Sequence, residues 1–170
     1  TKNLVTNMHS WLQCIEKHLL SYYDLKTPYS ISNFIVSSLE LYAHVPDLDV
    51  HKQRAGVYIS GEGEEIFLGV HFSEHLHEQP FSLDTFCVLV EECSHFHLLT
   101  QRVLTHRAVS KLELEWQGEI DKFLLARFFL PQVKASDLVE LLYQNTLFTS
   151  EESCYKEANF YEFSYFISPR

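Results

Sequence analysis

The residues best suited to chemistry fall in one run, Phe86-Cys87-Val88-Leu89-Val90-Glu91-Glu92-Cys93-Ser94-His95-Phe96-His97-Leu98-Leu99. Wound as a helix at ~100° per residue, Glu91, Glu92 and His95 share an arc of about 100°. Val88, Leu89, Val90, Cys93, Phe96 and Leu98 cover most of the remaining surface, the mark of a buried helix. Carboxylates in such surroundings are unfavourable by several kcal/mol each unless something pairs with them. A second apolar segment, from Ser110 to Leu125, repeats the anomaly. Its Glu115 and Glu119 stand one turn apart on a strip shared with Lys122 and Ala126. Where carboxylates and an imidazole converge, a divalent cation neutralises them directly.

Glu91-Glu92-Cys93-Ser94-His95 resembles the HExxH helix of zincin metallopeptidases, with Glu in place of the first His. In the gluzincin branch a third ligand comes from a following helix about twenty residues on, and another acid lies one turn later. Glu115 and Glu119 occupy those places, and the likeness extends over about residues 55–130. The resemblance implies that Glu91, His95 and Glu115 ligate a metal. It makes Glu92 the general base for water and Glu119 the residue that orients His95. Zincins carry zinc, but one nitrogen and two oxygen donors shift the preference toward Mn²⁺ or Fe²⁺. The implied chemistry is metal-dependent hydrolysis of a peptide or amide bond, with a peptide or protein as substrate.

Two other readings use the same residues. The acids can pair with Arg102, Arg107, Lys111, Lys122 and Arg127 as a structural network in a non-enzymatic interaction protein. An aromatic C-terminal helix (Tyr155, Phe160, Tyr161, Phe163, Tyr165 and Phe166) would then bind the partner. Alternatively, Glu92-x-x-His95 is the pair used by ferritin-like carboxylate metal proteins, with Glu151, Glu152, Glu157 and Glu162 as further donors. His71-Phe72-Ser73-Glu74-His75 matches the HxxEH pattern, with Glu152 as a distant third ligand, but His71 continues a strand alternation and cannot share a helical face with His75. His75, His77 and His97 read as surface or helix-end residues. No nucleophile elbow, phosphate-binding loop or dinucleotide fingerprint occurs.

The elements that must position these groups follow from periodicity. Residues 5–24 and 31–43 read as helices, and 55–60 with 65–72 as a hairpin about Gly61 and Gly63. Ser82 caps a helix over 83–103, a second runs from Ser110 to Leu130 before Pro131, and shorter helices begin at Ser136 and Ser150. The expected class is α+β, a mostly helical single domain over residues 1–170, with a small antiparallel hairpin preceding the buried motif helix.

The chain has 170 residues, 46% of them hydrophobic, which fits a folded globular domain. With 13 Lys and Arg against 23 Asp and Glu the net charge is −10, the wrong sign for gripping nucleic acid. No apolar stretch approaches the length of a membrane span, and Cys14, Cys87, Cys93 and Cys154 show no CxxC spacing. Thiols rather than disulfides and a cytoplasmic location are the expectation.

Overall fold

The computed structural model describes residues 2–49, 52–62, 65–78 and 81–144. The hairpin turn at 63–64, the helix expected from Ser150, its aromatic face, Cys154 and the acids Glu151, Glu152, Glu157 and Glu162 lie outside them. The chain is mostly helical, with one two-stranded antiparallel sheet, and forms two compact units, Thr1–His97 and Leu98–Arg170.

In the first unit, α1 (Lys2–Tyr22) buries Met8, Leu12, Ile15 and Leu19 on one stripe, as the helical spacing predicts. The helix expected over 31–43 is instead broken. A 3-10 turn, Ile31–Phe34, is followed by α2 (Ser38–His44). The break has two causes. Ile35 forms a parallel bridge with Val70, and the Val36 N–H donates to the Val70 carbonyl at 2.9 Å, so this segment is extended against the sheet. Ser37 then starts a new helix through a reciprocal capping box with Glu40.

Strands β1 (Ala55–Glu62) and β2 (Glu65–Phe72) pair in the register Val57↔Val70 and Gly56↔His71. The alternation of Ile66, Leu68, Val70 and Phe72 is graded along β2. Val70 and Phe72 are buried near its end, whereas Ile66 is 57% exposed near the turn. A short α3 (Glu74–Glu78) leads to α4 (Leu83–Leu104), the motif helix. The Ser82 hydroxyl caps it, accepting from the Thr85 N–H at 3.1 Å.

In the second unit, α5 (Lys111–Phe129) begins with a capping box between Ser110 and Glu113. It ends before Pro131, as expected. The helix α6 (Ala135–Val139) widens into a π turn over Glu140–Gln144, and the Tyr143 hydroxyl donates to the Glu119 carbonyl at 2.8 Å.

One buried polar knot fastens α1 to α4. The Glu16 carboxylate accepts from the Ser30 hydroxyl at 2.7 Å and from the Ile31 N–H at 2.7 Å. His97 Nε2 lies 3.0 Å from Glu16 Oε1, and because a carboxylate only accepts, this nitrogen carries the hydrogen. The expectation of a surface or helix-end His97 is thus corrected: it is buried, and its partner is remote in sequence. Burial by itself would raise the Glu16 pKa, but the bonds from His97, Ile31 and Ser30 together hold it below its ordinary value of 4.5. A depressed carboxylate contributes stability above its unfolded pKa that is lost as pH falls through the folded one. Glu16→Gln is therefore expected to lower stability to urea by about 2–3 kcal/mol at pH 7. The gap between variant and wild type should narrow as pH drops below about 4.5; a pH-independent gap would disprove the role of the charge.

Candidate metal centre

The apolar run of α4 determines what surrounds the acidic turn. Leu89, Val90, Cys93 and Phe96 are buried, and the Phe96 ring lies 5.0 Å from Phe34. Within this frame Glu92 and His95 are only 7% and 9% exposed, and Glu91 is half-buried. The three residues each offer one donor atom such that all lie within 4.8 Å of one another.

Their donor chemistry and spacing fit a divalent cation. Donors ~2.1 Å from a common ion are at most ~4.2 Å apart, so the observed spread closes with small side-chain adjustments. Glu92 Oε2 and His95 Nδ1 are separated by 3.9 Å, too long for a hydrogen bond and within that bite. Two carboxylates and one imidazole make an oxygen-rich set suited to Mn²⁺ or Fe²⁺ as well as Zn²⁺.

The structure thus brings together three of the residues singled out by spacing. Glu115 and Glu119 are buried on α5 in the second unit, 5% and 7% exposed. Glu119 Oε1 accepts from Lys122 Nζ at 2.6 Å, one pair of the expected charge network, whereas Arg102 pairs with Glu113, outside that set, at 3.2 Å. The HxxEH pattern is divided between elements, with His71 on β2 and His75 on α3. The buried His71 meets the Ser38 hydroxyl through Nε2 at 3.0 Å.

Two residues near the acidic turn carry no motif and were missed in the sequence. Arg54, immediately before β1, forms a two-pronged ion pair with Asp84 in the first turn of α4. Its pKa is raised chiefly by the Asp84 bond, with smaller contributions from Cys87 and Glu91. The Glu92 charge also acts on the phenol of Tyr58, on β1. The only sequence signal was the strand period, which places Arg54, Gly56 and Tyr58 on one face.

Comparison with known protein families, with curated proteins and with solved structures finds no match.

Tyr58 is half-buried, and burial first, then the Glu92 charge, push its phenol up to about 12. The ring folds back over Gly56, where an added Cβ would fall 2.7 Å from the Tyr58 hydroxyl. Gly56→Ala must therefore swing the ring aside. The Tyr58 pKa is expected to drop from about 12 toward its ordinary value of 10, read by NMR of ¹³Cζ-labelled tyrosine. An unshifted titration would show that Gly56 does not set the ring's position.

Proposed function

We propose that Glu91, Glu92 and His95 form the core of a divalent-metal site that serves hydrolysis of a peptide or amide bond. The observation that carries this reading is the convergence of their donor atoms within 4.8 Å on one turn of a largely buried helix. The i, i+4 spacing of Glu91 and His95 matches the ligand positions of the zincin-like motif and leaves Glu92 beside them.

A bound cation supplies Lewis acidity and lowers the pKa of water. Glu91 and His95 would hold it, in a setting where the apolar residues of α4 limit water access and strengthen electrostatic interactions. Glu92 accepts a proton from the attacking water and returns it to the leaving amine as the C–N bond breaks. Glu115 is the third ligand implied by the zincin resemblance, and Glu119 the residue expected to orient His95. Cys14, Cys87 and Cys93 are thiols rather than disulfides, which favours a reducing, cytoplasmic setting. Among the described residues no helix is long and apolar enough to cross a membrane.

A second reading has a specific observation in its favour. The 3.9 Å approach of Glu92 to His95 suits Glu92 as a ligand, as in carboxylate metal proteins, rather than as a base. One variant separates the two. Glu92→Gln is expected to retain about one equivalent of metal by elemental analysis and to lose ~10²–10⁴-fold in turnover of a quenched-fluorescent peptide library. Loss of the metal together with activity would make Glu92 a ligand.

His95→Ala is expected to release the metal, measured by competition with a chelating dye. Wild-type protein that takes up neither Zn²⁺, Mn²⁺ nor Fe²⁺ would overturn the metal reading. It would leave the structural network, seen in the Lys122–Glu119 pair, as the explanation of the acids.

A further inference from the structure

An open groove of about 600 Å³ lies at the start of α4, lined by Lys52, Arg54, Ser73, His75 and Asp84 among others. Its volume is that of a site for a small ligand or a short stretch of peptide. Asp84 and Glu91 are seven residues apart on α4, so they fall on the same helical stripe, separated by ~10.5 Å. The groove and the acidic turn are therefore consecutive stations along one face of this helix. Arg54 joins them, being bonded to Asp84 and sensing the Glu91 charge.

The charges lining the groove contrast with those of the whole chain. Lys52 and Arg54 face one carboxylate, Asp84, within a protein of net charge −10. Lys52 pairs with Asp49 at 2.8 Å, but their side chains are 81% and 51% exposed, and such pairs are weak and exchange partners readily. Asp84 occupies two N–H groups of Arg54, and a guanidinium carries five. Ser73 and His75 add neutral hydrogen-bonding groups at the same place.

We infer that this groove receives a carboxylate of the substrate, an acidic side chain or a free C-terminus, about three to four residues from the bond held at Glu91 and Glu92. The spacing follows from the ~10.5–12 Å helical rise from Asp84 to these residues divided by the ~3.3 Å advance per residue of an extended peptide. The placement of the cleaved bond rests on the metallohydrolase reading; the affinity of the groove for a carboxylate does not. Because the overall field repels anions, a preference for acidic peptides has to arise from the local cations.

The test uses the full chain without metal and four fluorescein-labelled hexapeptides. Two end in Glu-Glu and two in Gln-Gln, each with a free or an amidated C-terminus. Fluorescence anisotropy is expected to give roughly tenfold tighter binding of a carboxylate-bearing peptide than of the Gln-Gln amide at low ionic strength, fading as salt screens the contact. Preference for the Glu-Glu amide identifies a side-chain carboxylate, and preference for the Gln-Gln acid identifies the terminal one. Lys52→Glu, at an exposed position, should abolish the preference, and Arg54→Gln should do the same. Equal affinities for all four peptides, or a preference untouched in both variants, would overturn the inference. A preserved preference in protein that takes up no metal would reject the hydrolase reading alone.

Discussion

Two carboxylates and an imidazole crowd onto one turn of a helix whose neighbouring residues Leu89, Val90, Cys93 and Phe96 are buried and apolar, and that crowding is the constraint the site has to satisfy. Like charges a few ångströms apart in a poorly hydrated setting repel strongly. They persist there when the surrounding structure holds them and a positive charge offsets them. A divalent cation does both, because it draws the donors inward while compensating their charge. The same arrangement, supplied with a water, is what hydrolytic chemistry requires: a group that takes a proton beside groups that hold a Lewis acid.

The helix bearing this turn is tied down on either side of it. At its first turn Asp84 grips Arg54 and links the helix to the start of β1. Beyond the acidic turn His97 reaches Glu16, which also accepts from Ser30 and Ile31. Both ties are electrostatic, but they differ in kind. The Glu16 knot is buried and its hydrogen bonds offset the cost of burial, whereas the Arg54 pair is partly exposed and screened by solvent.

Much of the secondary structure was legible because local rules suffice for it. The stripe Met8-Leu12-Ile15-Leu19, the cap at Ser82, the helix start at Ser110 and the stop before Pro131 all depend on residues within a turn or two. The break between Phe34 and Ser38 was not legible, since it comes from a bridge to Val70, remote in sequence. His97 was misread for a similar reason: nothing near it announces Glu16. Tyr58 and Arg54 were overlooked because they gain meaning only from charges on α4 that are remote in sequence, Glu92 and Asp84.

The candidate site divides along the same line. Helical periodicity alone put Glu91, Glu92 and His95 on one arc, because their separation is shorter than the reach of local geometry. It also established that the arc is set in an apolar helix, and hence that the acids demand compensation. Tertiary structure decided how deeply Glu92 and His95 are buried, that the Glu92 charge reaches Tyr58 on β1, and that a groove lined by Lys52, Arg54 and Asp84 opens at the start of α4. Burial and long-range charge depend on which distant segments pack together, and neither the spacing nor the composition of one segment carries that information.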